Sequence, residues 1–215
     1  MRILMLGNSF TYYHGMPRLL AALTGAEVVS HTRGGGYLAE HLDAESEMGS
    51  LTLPALQEQS WDYVVLQDNS SGPICATEKF QTSAAELCKR IHAIGATPVF
   101  YATWSYRDKS EKLANIGLSY DEMADSLFAM YHRAAEENGG IVADVGEAFR
   151  KLTHVLSSDS SVSDPHGSVE LLEADNYHPT TAGSTLAAVT LANTILCHAA
   201  RRQRRKNNEL GKGHD

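Results

Sequence analysis

The chain has few cysteines, no long apolar run and no targeting leader before its first apolar segment. The three cysteines, at positions 75, 88 and 197, have neither paired nor metal-like spacing, so we expect free thiols in a reducing compartment. The apolar runs are too short to cross a bilayer, so we expect a cytoplasmic protein. At 215 residues of ordinary composition, the chain is long enough for one domain with a sizeable core.

Basic residues are scarce over most of the chain. Residues 1–200 hold 12 Lys and Arg against 24 Asp and Glu, whereas residues 201–215 hold six against two. Surfaces that bind nucleic acid are basic, so the acidic body argues against that class of function. The run 201–206 could be a patch for nucleic acid or membrane, but basic residues also suit a helix end. We therefore predict a domain at 1–200 and a disordered tail at 201–215.

Short apolar runs alternate with segments of helical periodicity. The predicted strands cover residues 2–6, 27–30, 63–66, 98–102 and 141–143. The predicted helices cover residues 16–23, 77–94, 120–138 and 180–200. This alternation predicts an α/β fold, in which helices cover both faces of a five-stranded parallel sheet. Residues 156–169, which are rich in Ser and Asp, are typical of an irregular surface loop.

Several chemically useful residues follow the predicted strands directly. Ser9 follows the first strand, residues 34–36 the second, Asn69 the third and Trp104 the fourth. Sites in open parallel sheets form beyond the carboxyl ends of the strands, so we expect these residues at one edge. By its position after Trp104, the segment 105–119 is our candidate for a lid.

Ser9, Asp175 and His178 are the residue types that a covalent hydrolase requires. If a helix begins just after Ser9, its first N–H groups can stabilise an oxyanion beside the hydroxyl. Asp175 and His178 share one turn, which lets the carboxylate accept an imidazole N–H while the imidazole takes the serine proton. The alternatives are a helix-capping Ser9 and a solvated Asp–His turn.

Other residues near this edge of the sheet are candidates for the base, for the oxyanion donors and for the lining of a substrate pocket. His14, His31 and His41 are alternative bases. Gly36 and Asn69 are candidate oxyanion donors, because glycine lets the backbone approach a ligand and Asn69 offers an amide, but both could simply form turns. Three aromatic residues could line a pocket for an acyl group or a sugar ring: Tyr37, Trp104 and Tyr177.

Four blocks in this order resemble the SGNH/GDSL hydrolase superfamily. Residues 7–11, Gly-Asn-Ser-Phe-Thr, look like its nucleophile block, and Gly36 falls where the family places an oxyanion-hole glycine. Residues 67–69, Gln-Asp-Asn, end a strand where the family carries an oxyanion-hole asparagine. Residues 175–179, Asp-Asn-Tyr-His-Pro, match the Asp-x-x-His block.

The resemblance implies a three-layer, flavodoxin-like fold without a metal or cofactor. It implies Ser9 as nucleophile, His178 as base and Asp175 as its partner, with an oxyanion hole from the Ser9 and Gly36 N–H groups and the Asn69 side chain. Two departures stand out. Asn8 replaces the usual Asp, as in a bacterial subgroup that opens with Gly-Asn-Ser-Phe-Thr. The usual Gly-x-Asn-Asp is changed at residues 67–70, so Gln67 is an alternative amide donor.

The sequence thus predicts a serine esterase or deacylase. The expected substrate is a small-molecule ester with a short acyl group, acetyl above all, on a carbohydrate; we expect no nucleic-acid or membrane partner. A flavodoxin-like module that holds phosphate or flavin at residues 8–11 is the alternative from a different class. A third possibility is a pseudoenzyme that binds an acylated ligand without turnover.

Overall fold

Five parallel strands form the centre of the structure, a computed structural model that describes residues 1–58, 60–158 and 169–211. The strands are β1 (Arg2–Gly7), β2 (Glu27–Thr32), β3 (Tyr63–Leu66), β4 (Thr97–Tyr101) and β5 (Ile141–Ala143). Their spatial order is β2-β1-β3-β4-β5. The order reverses between β1 and β3, and ligands of such sheets bind beyond the strand ends at this switch point.

Helices cover both faces of this sheet. They are α1 (Ser9–Tyr12), α2 (Met16–Thr24), α3 (Glu47–Glu58), α4 (Gly72–Cys75), α5 (Thr77–Ala93), α6 (Glu111–Ile116), α7 (Tyr120–Glu137), α8 (Val145–Ser158) and α9 (Thr181–Gly211). Short 3₁₀ helices occupy Tyr13–Gly15 and Leu38–Leu42. The predicted three-layer α/β fold with a five-stranded parallel sheet is confirmed.

Alternate residues of β1 pack into opposite layers. Leu4 and Leu6 join the cluster that includes buried residues of α3, α5 and α7. Ile3 and Met5 join the cluster on the other face, with α2, α8 and α9. All four are fully buried. Burying such a side chain stabilises the fold by about 1.5–3 kcal/mol, so this central strand anchors both layers and fixes the position of its carboxyl end.

The predicted elements are found with small shifts of their ends, but two long helices were not predicted. α3 contains Pro54, which obscures its helical pattern. α8 does carry a signal, because Val145 and Phe149 lie one turn apart and both are buried. α8 also covers the first residues of the loop predicted at 156–169, whereas residues 159–168 lie outside the described residues.

The last helix is longer than predicted. The sequence predicts its end at Ala200 and a disordered tail beyond, but α9 continues to Gly211 through the basic run, whose residues are exposed. Arg, Gln and Lys are good helix formers, and extending an existing helix is easier than nucleating one. The remaining residues, 212–215, are not among those described.

One helix in the described part of the chain is long and apolar enough to cross a membrane. The stretch Thr181–Glu209 of α9 passes this test of length and composition, with a mean hydropathy of 1.2 over an 18-residue window. The core helix of a soluble protein passes the same test, so the finding is weak evidence. One face of α9 packs against α2 and α8 and buries Leu191 and Ile195.

Candidate functional site

β1 delivers Ser9 to the first turn of α1. Asn8 caps this helix, since its extended backbone lets the side-chain Oδ1 accept the Phe10 N–H at 3.1 Å. The capping role considered for Ser9 therefore falls to Asn8. A Cβ atom at Gly7 would lie 2.5 Å from Thr11 Oγ1 and 2.6 Å from Gln67 Oε1, so the turn needs glycine where the strand ends.

Ser9, His178 and Asp175 form a continuous chain of hydrogen bonds. Ser9 Oγ lies 2.8 Å from His178 Nε2, and His178 Nδ1 lies 2.6 Å from Asp175 Oδ2. Ser9 is 7% exposed and the His178 side chain 12% exposed, so the contact is shielded from water yet reachable. The structure thus brings together three residues that the sequence placed at opposite ends of the domain.

Asp175 fixes both the position and the tautomer of His178. Its Oδ1 accepts the backbone N–H groups of Tyr177 and His178 at 3.2 and 3.0 Å. Partial burial raises the pKa of Asp175, but hydrogen bonds from the His178 ring and from these N–H groups outweigh it and hold the pKa below its usual value. An ionised Asp175 places the imidazole proton on Nδ1, which leaves the Nε2 lone pair facing Ser9.

Two aromatic rings hold the imidazole plane. Tyr13 stacks on His178 with the ring centroids 4.3 Å apart and the planes 3° apart. Phe10 meets His178 edge-on at 5.9 Å. No sequence pattern pointed to Tyr13, because this contact depends on how the turn after α1 packs against the distant Asp–His turn.

Trp104 does not line the site as predicted. It is 1% exposed and stacks between Phe10 and Phe149, with centroid distances of 4.4 and 4.1 Å. Its indole Nε1 donates a hydrogen bond to the Tyr177 carbonyl at 3.0 Å. A tryptophan at a strand end can face either the substrate site or the core. Here Trp104 faces the core and supports the Asp–His turn through this hydrogen bond.

The alternative bases are engaged elsewhere. His14 contacts Glu173 Oε1 through Nε2 at 3.1 Å and Thr181 Oγ1 through Nδ1 at 3.2 Å. His31 and His41 both contact Thr52 Oγ1, at 3.1 and 2.9 Å. Of the four candidate histidines, His178 alone contacts Ser9 within the described residues.

The N–H predicted as an oxyanion donor is engaged within the glycine turn. The Gly36 N–H donates to the Arg33 carbonyl at 3.1 Å and closes a tight turn, so an oxyanion would have to compete with this carbonyl. Gly35, one residue earlier, has a φ of +68°, which favours glycine. Its N–H, like that of Ser9, meets no acceptor in the described part of the chain. The N–H groups of Ser9 and Gly35 are therefore free to bind a substrate.

The structure also distinguishes between Asn69 and Gln67 as the candidate amide donor. Gln67 is fully buried, its Oε1 accepts the Asn8 N–H and the Thr11 hydroxyl at 2.9 Å each, and its amide N–H donates to the Asp68 carbonyl. Asn69 is half-buried, and its Nδ2 donates to the Gly35 carbonyl at 3.0 Å. Its second amide N–H has no acceptor among the residues described, so Asn69 is the amide available to a substrate.

Asn8 joins three loops of the site: the nucleophile turn at residues 7–9, the glycine turn at residues 34–36 and the segment 67–69 after β3. Its Nδ2 donates to the carbonyls of Gly36 and Asp68 at 3.0 and 3.2 Å, while its own N–H binds Gln67. A carboxylate could not donate these two hydrogen bonds, which explains why Asn suits this position here. This joining role of Asn8 depends on the folded loops and could not be predicted from its place in the Gly-Asn-Ser-Phe-Thr block.

Asp68 lies beneath the glycine turn. Its Oδ1 accepts the Leu38 N–H at 2.7 Å, which ties the segment after the turn to the end of β3. Burial raises the pKa of Asp68 to about 6, although the N–H groups of Leu38 and Asn69 and the charge of Lys79 counteract the effect. The carboxyl therefore loses its proton only as the pH approaches neutrality.

We expect Asn69→Ala to lower kcat by about 10²-fold with little change in KM, because one oxyanion donor is typically worth about 10²–10³-fold and acts in the transition state. Steady-state kinetics on a 4-nitrophenyl ester measures both constants. A fall of less than about threefold in kcat would show that this amide is not a donor. Asn193→Ala, on the exposed face of α9, is the matched control for loss of an amide.

The phosphate-binding alternative finds little support in this loop. α1 has only four residues, and the N–H groups of Phe10 and Thr11 are already bound to Asn8. Only the Ser9 N–H remains for an anion, whereas a phosphate site uses several. Among the described residues, no group of three or more His, Cys, Asp or Glu side chains could hold a metal ion.

A cavity of about 710 Å³ lies away from this chemistry. Its lining includes Tyr120, Phe149 and Leu171 but none of Ser9, Asp175 and His178. Pocket size is only a starting point for locating a site, and the linked serine, histidine and aspartate are the stronger indication.

Known proteins that are similar to this chain are found among solved structures. No family model matches the sequence, and no curated protein matches it. Among solved structures, a candidate SGNH hydrolase from Slackia heliotrinireducens is 43% identical, with 91% of this chain and 98% of that chain covered and a TM-score of 0.81. The match extends over nearly the whole domain.

Two more distant structures share the fold. A DUF4886 family protein from Bacteroides uniformis is 20% identical, with 90% of this chain and 82% of that chain covered and a TM-score of 0.65. Axe2, an acetylxylan esterase from Geobacillus stearothermophilus, is 13% identical, with 90% and 93% covered and a TM-score of 0.60. From its 43% identity to the Slackia protein, the chain belongs to the SGNH hydrolases and is a serine hydrolase that acts on ester bonds.

Proposed function

We propose that the protein removes a short acyl group, acetyl above all, from an alcohol through an acyl-Ser9 intermediate. The observation that carries the proposal is the contact of Ser9 Oγ with His178 Nε2 at 2.8 Å, backed by Asp175 at 2.6 Å. No further side chain is needed to activate the hydroxyl, because nucleophile, base and orienting carboxylate are already in hydrogen-bond contact.

In the first half of the reaction, Ser9 Oγ forms a bond to the ester carbonyl carbon while His178 Nε2 takes its proton. The negative charge that develops on the carbonyl oxygen is stabilised by the N–H groups of Ser9 and Gly35 and by the Asn69 amide. The bond from this carbon to the alcohol oxygen then breaks. The leaving oxygen takes the proton from His178, and the acyl group remains on Ser9.

In the second half, water replaces the alcohol. His178 takes a proton from the water, the hydroxide oxygen bonds to the acyl carbon, and the same donors stabilise the second oxyanion. The bond to Ser9 Oγ breaks as His178 returns the proton to it. The carboxylic acid leaves, and Asp175 holds the imidazolium in place during both transfers.

Two features support a short acyl group on a carbohydrate. Phe10, Trp104 and Phe149 are buried and stacked next to Ser9 and His178, which favours a small acyl group over a long chain at that side of the site. Tyr13, which is half-buried and stacks on His178, presents an aromatic ring beside the base, which suits the flat face of a sugar. Axe2, which has the same fold, is an acetylxylan esterase.

The proposal is tested with 4-nitrophenyl acetate, butyrate and octanoate, followed by a fluorophosphonate that labels nucleophilic serines. We expect the acetate to be hydrolysed fastest, and peptide mass spectrometry to find one adduct, on Ser9. Preference for the octanoate would overturn the short-acyl proposal. Neither turnover nor an adduct would indicate a pseudoenzyme that binds acylated ligands.

A further inference from the structure

One wall of the site is a continuous series of contacts that ends in a lysine. The Ser70 hydroxyl, next to Asn69, lies 2.7 Å from the Tyr106 hydroxyl. The ring of Tyr106 meets that of Tyr177 at 5.8 Å, and Tyr177 lies 4.0 Å from the ring of His178. This series of contacts therefore runs from Ser70, beside the candidate oxyanion donor Asn69, to the base His178.

Lys112, on α6, is fixed on this wall. Its Nζ lies 3.7 Å from the centroid of the Tyr177 ring and 5.9 Å from that of Tyr106. The segment that carries it is anchored to the Asp–His turn, since the Arg107 N–H donates to the Asn176 carbonyl at 2.9 Å. Contact with aromatic faces holds an ammonium group in place without neutralising its charge.

A second lysine is held in the same way beside the glycine turn. Lys79 Nζ lies 4.5 Å from the centroid of the Tyr37 ring, which follows that turn. Its positive charge lowers the pKa of Asp68, next to Asn69 in the chain. The glycine turn and the Asp–His turn thus each hold an ammonium group on a tyrosine ring.

Three acidic groups of the site region already pair with other residues. Glu40 pairs with Arg33, Glu173 with His14, and Asp175 with His178. Asp68, whose pKa the charge of Lys79 lowers, accepts the Leu38 N–H.

In the part of the chain that the structure describes, neither Lys79 nor Lys112 forms an ion pair. Two cations without an ion-pair partner therefore lie near the site of a domain whose first 200 residues hold twice as many acidic as basic residues.

We propose that the substrate carries an anionic group, a carboxylate or a phosphate, on its alcohol part, where Lys112 attracts it and Lys79 assists. The alcohol leaves on the His178 side, because His178 protonates the leaving oxygen, and Lys112 stands over the adjacent Tyr177. This inference rests on the proposed function and adds the charge of the alcohol to it.

The test compares three acetyl esters of similar shape: neutral 3-acetoxybenzamide, anionic 3-acetoxybenzoate and 3-acetoxyphenyl phosphate. The kcat/KM for each ester is divided by the rate constant for hydrolysis of the same ester by hydroxide, which corrects for differences in leaving-group reactivity. Opposite charges a few ångströms apart in water favour binding about fivefold, so we expect a five- to 25-fold preference for the anions. The preference should shrink with added salt, and the better anion identifies the group.

Lysine variants show which lysine causes the preference for anionic esters. Lys112→Gln should lower the ratio of anionic to neutral ester about fivefold, Lys112→Arg should keep it, and Lys79→Gln should lower it to a smaller extent. Lys109→Gln is the control, because Lys109 precedes the same helix with its side chain 91% exposed. A ratio measures charge recognition, so a general loss of stability would not change it.

The outcomes separate the two proposals. If wild type hydrolyses the neutral ester as well as the anionic ones, or if Lys109→Gln lowers the ratio as much as Lys112→Gln, the charge inference is wrong and the esterase proposal stands. If no ester is hydrolysed and Ser9 is not labelled, the esterase proposal fails and the charge inference with it.

Discussion

Replacing Ser9 by alanine is expected to lower kcat for any ester that the wild type hydrolyses by about 10⁴–10⁶-fold. The change removes the only hydroxyl that contacts His178 Nε2 in the described structure, and with it the atom that would carry the acyl group. The N–H groups of Ser9 and Gly35 and the Asn69 amide stay in place. A small residual rate above that of water is therefore expected from oxyanion stabilisation alone.

The measurement combines steady-state kinetics with labelling by a fluorophosphonate. Ser50→Ala, which removes an exposed hydroxyl from α3, is the matched control and should keep wild-type rates. Alanine at position 9 loses no capping bond, since Asn8 provides the cap, so the thermal midpoint should change little. Normal turnover by Ser9→Ala would refute the acyl-serine mechanism.

Replacing His178 by alanine is expected to lower kcat by a similar factor, about 10⁴–10⁶, because nucleophile and base act as a unit. Without the imidazole, the Ser9 hydroxyl has no acceptor for its proton and the leaving alcohol has no donor. The double variant, with Ser9 also replaced, should be scarcely slower than either single variant. This lack of additivity distinguishes a shared mechanism from two separate defects.

A second histidine–aspartate pair in the chain supplies the control. His132 Nε2 lies 2.6 Å from Asp144 Oδ1, the same separation as in the His178–Asp175 pair, but Phe128 stacks on its ring and no serine contacts it in the described residues. His132→Ala should therefore leave kcat within about twofold of wild type. Equal losses in the two variants would mean that His178 supports the fold rather than the reaction.

The hydrogen-bonded serine, histidine and aspartate could be predicted from the sequence because their positions follow from the fold class. Ser9 comes directly after a buried strand, and parallel strands bring their carboxyl ends to one edge. Asp175 and His178 lie on one turn, so their contact is local. Such relations depend on spacing along the chain, which a sequence displays.

Contacts that depend on tertiary packing were not predictable in this way. Trp104 also follows a strand, but whether its ring faces the opening or the core is decided by Phe10 and Phe149. The three glycines at 34–36 predict close approach of the backbone, yet only the folded turn shows that the Gly36 N–H is used internally. The stacking of Tyr13 on His178 likewise joins two distant segments.

The Asn8 amide makes the three loops of the site interdependent in evolution as well as in space. Because it donates to the carbonyls of Gly36 and Asp68, a nucleophile block taken alone from a relative that has Asp at this position would leave a carboxylate facing two carbonyl oxygens. Such chimeras should lose the site while keeping the sheet, unless the other two loops are transferred with the block. The natural unit of exchange is therefore the set of three loops, and a single loop transferred alone carries none of its function.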